Sequence, residues 1–165
     1  MQCRQTLLGS DYGLINATTL EGTPDFWASV LWKRLMGAQA LAVRADGAPR
    51  SLRLYCHRPP AALLEGGTRT AGLRPAVGAV GAGAPAAARR TFLAINLGRD
   101  PVEIEIGAPA RLWRLDAASD GATSVAVNGQ PAATRPDGSV PDFPGVLVDA
   151  APLVVPPGAA LFALI

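Results

Sequence analysis

The residues of this chain that could do chemistry lie mainly in its first twelve positions. Gln5 belongs to a short apolar stretch, Cys3 to Leu8, that predicts a strand, and Ser10, Asp11 and Tyr12 follow in a turn. A tyrosine offers a flat apolar ring with a hydroxyl at its edge, and a glutamine offers both hydrogen-bond donors and an acceptor. The alternative is that Gln5 and Tyr12 only satisfy local backbone groups. Taken alone, the residues favour that alternative.

The element that follows is a helix with clear boundary signals. Thr23 is the expected N-cap, Pro24 suits the first helical position and Asp25 adds negative charge to the first turn. A broad apolar stripe at helical spacing consists of Phe26, Trp27, Val30, Leu31, Leu35 and Met36. The pattern predicts a helix from Pro24 to Met36, ended by a left-handed Gly37.

Two segments carry a family resemblance: CRQTLLGSDYGLIN and, after a short gap, TPDFWASVLWKRLMG. Together they resemble the last strand–loop–helix unit of the catalytic barrel in heparanase-like proteins, the glycoside hydrolases of family 79, with the plant branch nearest. The later segments SLRLYCHR, TFLAINL and SVAVNG follow in the expected order. The first sixty residues carry most of the resemblance.

The resemblance implies a fold and an activity. The fold would be mainly β, with residues 1–37 as the terminal β/α unit of a (β/α)8 barrel and residues 38–165 as an antiparallel β-sandwich. The activity would be retaining hydrolysis of β-glucuronides in acidic or cell-wall polysaccharides, by an endo-β-glucuronidase without a cofactor. The family sandwich also packs beside the barrel and takes up a strand from the start of the full-length chain. By that resemblance, the expected partners are the rest of the barrel and a glucuronic-acid-containing polysaccharide or glucuronide.

Three site residues follow from the same resemblance. The glutamine and tyrosine that match Gln5 and Tyr12 line the family's sugar-binding cleft, and Ser10 could contribute its backbone N–H. Barrel enzymes place such residues at the carboxyl ends of the strands and in the loops beyond them. Retaining glycosidases also need two carboxyl groups across the scissile bond. The family's two glutamates lie upstream of the matching region, so we expect no catalytic residue in this chain and no activity from it alone.

No other group of residues replaces that carboxylate pair. Glu103 and Glu105 alternate with apolar residues and are expected on a solvated strand face. Asp11 has no partner carboxylate. His57, the single histidine, has no second ligand at metal spacing and no elbow-type serine for a catalytic triad. No metal site is therefore expected.

Composition limits the other classes of function. The chain has 165 residues and a net charge of +2, and aromatic residues make up 5%. The arginines are scattered along the sequence, which argues against nucleic-acid binding. A diffuse positive balance could help to bind acidic polysaccharides, although a solvated surface is the simpler interpretation. No apolar run is long enough to span a membrane and no signal peptide opens the chain.

The remainder of the chain predicts short strands separated by Gly and Pro turns. The predicted strands are Gln39–Arg44, Ser51–His57, Thr91–Leu97, Val102–Ile106, Ala110–Leu115, Thr123–Val127, Val146–Val148, Leu153–Val155 and Ala160–Ile165. Asn128-Gly129 indicates a hairpin turn. Residues 59–88 are rich in Gly, Ala and Pro without periodicity and predict a low-complexity loop.

Cysteine and glycosylation signals add expectations about location. Cys3 and Cys56 are expected as buried thiols, because Arg58 stands where the family usually has a disulfide-forming cysteine. Asn16-Ala17-Thr18 is an N-glycosylation sequon in a predicted loop. For the full-length protein we expect the secretory pathway, with the cell wall, the vacuole or lysosome, or a membrane-associated position as the destination.

Two further hypotheses remain open beside the glycosidase. One is a non-catalytic β-sandwich that binds carbohydrate or protein, which needs an aromatic platform. Trp113 is the candidate, with a core position as its alternative. The other is that the chain does not fold stably by itself, because the stripe with Trp27, Leu31 and Leu35 would have no partner.

Overall fold

The computed structural model describes residues 7–8, 13–64, 89–119 and 121–165. The chain is mainly β, with ten strands and two helices in these ranges. The predicted strand Cys3–Leu8 falls outside the described residues except for its last two positions. The same is true of most of the predicted low-complexity loop.

The first helix, α1, runs from Pro24 to Leu35, which confirms the predicted helix to within one residue. Thr23 occupies the N-cap, but its hydroxyl makes no capping hydrogen bond. Instead the hydroxyl donates to the carbonyl oxygens of Gly13 and Leu14, at 3.3 and 3.0 Å. The expected cap residue therefore ties the helix start to the preceding loop.

Eight antiparallel strands form one sheet with the order β1-β2-β3-β10-β5-β6-β7, and β8 also pairs with β5. A second sheet contains only β4 and β9. The strands are β1 Ala40–Leu41, β2 Leu52–His57, β3 Thr91–Asn96, β4 Val102–Ile104, β5 Ala110–Asp116, β6 Ala126–Val127, β7 Gln130–Pro131, β8 Val146–Val148, β9 Leu153–Val155 and β10 Ala160–Leu164.

The large sheet is covered by apolar partners on both faces. On one face the helix α1 packs over alternate residues of β3, β5 and β10, including Leu93, Trp113 and Phe162. On the other face β9 packs over Ala94, Leu161 and other small or branched residues. This alternation of faces is the consequence of the two-residue period of a strand.

The helix stripe is therefore buried, and the expectation that it has no partner is wrong. Trp27, Leu31 and Leu35 are 1%, 2% and 3% exposed. The Trp27 indole donates to the Gly22 carbonyl at 3.0 Å and meets the Phe143 ring edge-on at 5.8 Å. The face of the large sheet supplies the apolar surface against which the stripe packs.

Several predicted elements need correction. Of the strand expected over Thr123–Val127 only Ala126–Val127 forms, and of the strand expected over Val102–Ile106 only Val102–Ile104 forms. The strand expected over Gln39–Arg44 is only Ala40–Leu41, because β2 offers a partner to those two residues alone. Within the predicted loop 59–88, Ala61–Leu64 forms a short helix, α2. The Pro60 carbonyl accepts from the Leu63 amide at 3.0 Å, and Leu63 packs on the core beneath α1.

Gly37 has a different role from the one predicted. The C-cap is Met36, in an extended conformation with φ −96°, and Gly37 is not among the glycines with positive φ. A Cβ atom on Gly37 would lie 2.1 Å from the carbonyl oxygen of Arg58. Glycine is needed at this position because the chain leaving α1 crosses the end of β2 at close range.

Candidate functional site

The three substrate-binding residues predicted from the resemblance, Gln5, Ser10 and Tyr12, lie outside the described residues. Their roles stay predictions. The described chain resumes at Gly13, directly after Tyr12, and forms a compact loop that leads into α1. Leu14 accepts from the Thr23 amide at 2.9 Å, and Ile15 and Gly22 form an isolated antiparallel bridge. This loop is held in one shape by backbone bonds at its base.

An open cavity of about 470 Å³ lies against this loop and the start of α1. Its lining is polar and apolar in about equal parts. The lining residues come from two regions of the chain: Gly13, Asn16, Thr19, Glu21, Gly22, Thr23, Pro24, Asp25, Ala122 and Thr123. Glu21 and Asp25 are both exposed. Asp25 lies in the first helical turn, where a carboxylate stabilises the helix dipole, so its position has a structural explanation.

Asn16 is exposed at the tip of the loop and its side chain is ordered by the backbone. Its Oδ1 accepts from the amides of Thr18 and Thr19 at 2.8 and 3.0 Å. The backbone amide of Asn16 donates to the Glu21 carbonyl oxygen at 2.8 Å. The sequon therefore lies in a tight surface turn, as its sequence predicts.

The residues with acid–base or redox chemistry are dispersed in the described part of the chain. That part contains no group of three or more His, Cys, Asp and Glu side chains able to hold a metal ion. Glu103 is exposed on the two-stranded sheet, and Glu105 is exposed just beyond it. Cys56 is a buried, free thiol. Burial raises the pKa of the Cys56 thiol, and the positive charge of Arg90 partly offsets this. The second cysteine, Cys3, lies outside the described residues.

Trp113, the candidate platform for a binding module, is a core residue. Its side chain is 5% exposed and its indole N–H donates to the Phe143 carbonyl at 2.7 Å. The core alternative is therefore the correct one for Trp113. No helix in the described ranges is long and apolar enough to cross a membrane.

A group of aromatic residues that the sequence did not single out comes together at the end of α1. Trp32 meets the rings of Tyr55 and His57 edge-on, with centroids 5.9 and 5.2 Å apart. Trp32 is 37% exposed and Tyr55 is 42% exposed. The only signal in the sequence was that Trp32 falls outside the apolar stripe while Tyr55 and His57 share the polar face of their strand.

Comparison with known proteins gives partial matches. No protein-family model matches the chain. Heparanase-like protein 1 of Arabidopsis thaliana is 51% identical over 55 residues, and heparanase-like protein 3 of the same plant is 40% identical over 55. Baicalin-β-D-glucuronidase of Scutellaria baicalensis is also 40% identical over 55 residues.

Each match covers 33% of this chain and 10% of the relative. The matched part thus spans about a tenth of the length of the curated relatives. Four curated relatives reach this level of similarity, and all four are named as heparanase-like proteins or a β-glucuronidase. A stretch of 55 residues, 33% of this chain, is therefore similar in sequence to heparanase-like proteins, as the opening motifs indicate.

Proposed function

We propose that this chain is part of a retaining glycoside hydrolase that cleaves β-glucuronides in acidic or cell-wall polysaccharides. The observation that supports this is the 51% identity to heparanase-like protein 1, together with the match to an enzyme named for its action on a β-D-glucuronide. In this proposal residues 1–37 complete the catalytic barrel. Residues 38–165, with the two sheets, form the sandwich that supports the barrel.

The proposed division of labour leaves the acid–base and nucleophilic steps to two glutamates on preceding barrel strands. One protonates the glycosidic oxygen while the other attacks the anomeric carbon, which requires their carboxyl groups to be about 5 Å apart. Gln5 and Tyr12 would hold the sugar in the cleft, Tyr12 by stacking and by its hydroxyl. The compact loop at 13–23, anchored by Thr23, would form the rim of that cleft.

A chimera tests this proposal directly. This chain replaces the corresponding C-terminal part of heparanase-like protein 1, and release of glucuronic acid from a chromogenic β-glucuronide is measured. We expect an active chimera, and an inactive 165-residue chain. Gln5→Ala and Tyr12→Phe in the chimera should lower kcat/KM by about tenfold or more, the loss of one or two hydrogen bonds to substrate.

Asp46→Asn serves as the control because Asp46 is exposed in the turn between β1 and β2. Unchanged kcat/KM in both site variants would refute the binding roles of Gln5 and Tyr12. A folded but inactive chimera would count against the proposed hydrolase itself.

We also propose that the protein enters the secretory pathway and carries a glycan on Asn16. The support is the exposed turn in which the sequon lies. Secreted expression in plant cells, followed by endoglycosidase treatment, should show a mobility shift that Asn16→Gln and Thr18→Ala both abolish. A protein that is secreted without any shift would refute the glycan.

A further inference from the structure

The turn between β6 and β7, Asn128-Gly129, is also a chemically reactive pair. The chain contains three asparagines, and Asn128 alone is followed by glycine. In such a pair the glycine amide nitrogen can attack the side-chain carboxamide carbon of the asparagine, because glycine has no Cβ atom to hinder the approach. A C–N bond closes a succinimide ring while the carboxamide C–N bond breaks and ammonia leaves. Water then opens the ring to aspartate or isoaspartate.

Restricted access of solvent does not protect this pair. Gly129 is exposed, and a Cβ atom on it would meet no described atom within 4 Å. Its φ of +78° and the φ of +51° at Asn128 are typical of a type I′ turn at the tip of a hairpin. Water and hydroxide therefore reach the glycine amide. Any protection of the pair has to come from the way the Asn128 side chain is held.

Three hydrogen bonds hold the Asn128 carboxamide in place. Its Oδ1 accepts from the Arg114 amide at 2.8 Å. Its Nδ2 donates to the carbonyl oxygens of Leu112 and Pro144, at 3.1 and 3.3 Å. Every partner is a main-chain atom, so rotation of a neighbouring side chain cannot release the carboxamide. Ring closure removes Nδ2 and rotates the remaining carbonyl into the plane of the new ring, so all three hydrogen bonds must break first.

The hairpin that carries this pair is anchored to the core. Val127, beside Asn128, is 1% exposed and pairs with Leu115 of β5. The main-chain amide of Asn128 donates to the Arg114 carbonyl oxygen at 2.8 Å. Opening of the hairpin therefore withdraws a core side chain together with the carboxamide. Since each of the three carboxamide hydrogen bonds is equivalent to about fivefold, the folded chain should deamidate about a hundredfold more slowly than the unfolded chain.

The products of the reaction do not fit the place that the carboxamide leaves. In aspartate an oxygen replaces Nδ2, so it would face the Leu112 and Pro144 carbonyl oxygens with no hydrogen between them. In isoaspartate the main chain runs through the former side chain and gains a methylene group. That group lengthens a turn whose two residues set the register of β6 and β7. Closing the hairpin again is therefore unfavourable for both products.

We propose that Asn128-Gly129 is a latent deamidation site that the fold keeps closed, and that its reaction makes opening of the β6–β7 hairpin irreversible. The reactants are the pair itself and water. The site thus records whether a molecule has opened. This goes beyond the proposed hydrolysis, because the modification involves no substrate and no residue of the predicted cleft.

Peptide mapping by mass spectrometry tests the site. The 165-residue chain is incubated in mildly alkaline buffer, either folded or unfolded in guanidinium chloride, and the mass change from amide to acid is followed at each asparagine. In the unfolded chain we expect Asn128 to deamidate well before Asn16 and Asn96. In the folded chain the reaction at Asn128 should be about a hundredfold slower. No preference for Asn128 in the unfolded chain would overturn the site, and equal rates in the folded and unfolded chain would overturn the protection.

Val127→Ala loosens the hairpin without changing the reacting pair. It should raise the deamidation rate of the folded chain about tenfold, because buried methyl groups are lost from the core, and should leave the rate of the unfolded chain unchanged. Val154→Ala is the matched control, since Val154 is 49% exposed on β9, and it should change neither rate. If Val127→Ala does not fold, the wild-type rate at guanidinium concentrations below the unfolding transition replaces it and should rise with the denaturant. A rate that stays constant would overturn the role of the fold.

Asn128→Asp tests the irreversible step. The variant carries one product of the reaction from the start, so it should unfold at a lower urea concentration than the wild type. Deamidated wild-type chain, refolded after removal of guanidinium, should show the same loss. Wild-type stability in both samples would overturn the irreversibility.

Discussion

Substitution of Gly37 by alanine tests how α1 is joined to the large sheet. The new Cβ atom would lie 2.1 Å from the Arg58 carbonyl oxygen and 3.1 Å from the Pro59 carbonyl carbon. Both are backbone atoms, so no side-chain rotation can relieve the contact. The two chain segments must move apart, and two hydrogen bonds span this joint. They are His57 Nδ1 to the Gly37 carbonyl at 2.6 Å and the Arg58 amide to the Gln39 carbonyl at 2.9 Å.

The expected cost follows from these contacts. Overpacking of a close backbone contact costs about 1–3 kcal/mol, and each weakened hydrogen bond about 1 kcal/mol. Against this, Gly→Ala lowers the entropy of the unfolded chain and returns about 0.4–1 kcal/mol. The net expectation is a loss of about 2–5 kcal/mol of unfolding free energy. For a domain of this length that lowers Tm by roughly 4–20 °C.

Urea unfolding followed by tryptophan fluorescence measures this loss. Gly107→Ala is the matched control, because a Cβ at Gly107 meets nothing within 4 Å and only its φ of +63° is strained. The control should lose about 1 kcal/mol. If Gly37→Ala lost no more than the control, the close crossing of α1 and β2 would be wrong. If it were more stable than the wild type, the entropy gain alone would be operating.

Three other predictions concern the core, one turn and the thiol. In urea unfolding, Trp27→Ala should lower the free energy of unfolding by about 3–5 kcal/mol, as for other buried aromatic residues. A loss below that of an exposed residue would show that α1 does not pack on the sheet. Asn128→Ala should lower the free energy of unfolding by about 1–2 kcal/mol, since Asn128 has a φ of +51° and its Oδ1 accepts from the Arg114 amide at 2.8 Å. Asn128→Gly should recover the part of that loss that comes from backbone strain. In a Cys3→Ser background, Cys56 should react with iodoacetamide more slowly than a free thiol at every pH below its raised pKa. Because the Cys56 pKa is raised by folding, the free energy of unfolding should fall as the pH rises above 9.0, the ordinary thiol value. Equal labelling of native and unfolded protein would refute the burial of Cys56.

Local chemistry determined the elements that the sequence predicted well. Thr23-Pro24 marked the start of α1, and Asn128-Gly129 turns between β6 and β7 with φ of +51° and +78°, as its residue types require. Strand lengths were harder to predict from the sequence, because a strand continues only where a neighbouring strand can pair with it. Ala40–Leu41 ends early for that reason.

The features that were missed depend on contacts distant in sequence. The role of Gly37 is set by Arg58, twenty-one positions away, and not by its own conformation. The aromatic patch joins Trp32 of a helix to Tyr55 of a strand, and neither residue has a pattern that reveals the other. The sequence did not predict that the large sheet covers the apolar stripe, because no local pattern shows which surface packs on α1. The resemblance itself was predicted from two short motifs and confirmed.

The position of β10 has a consequence for how the molecule is made. This strand lies in the middle of the large sheet and bridges β3 and β5, although it is the last strand of the described chain to be synthesised. Until β10 emerges from the ribosome, β1 to β3 and β5 to β8 can form only two separate partial sheets, in which one edge of β3 and one edge of β5 have no partner. Their pairing is therefore a late event over long sequence separations, which slows folding and exposes edge strands to other chains. Chaperone demand during translation should accordingly be greatest just before Ala160–Leu164 is released.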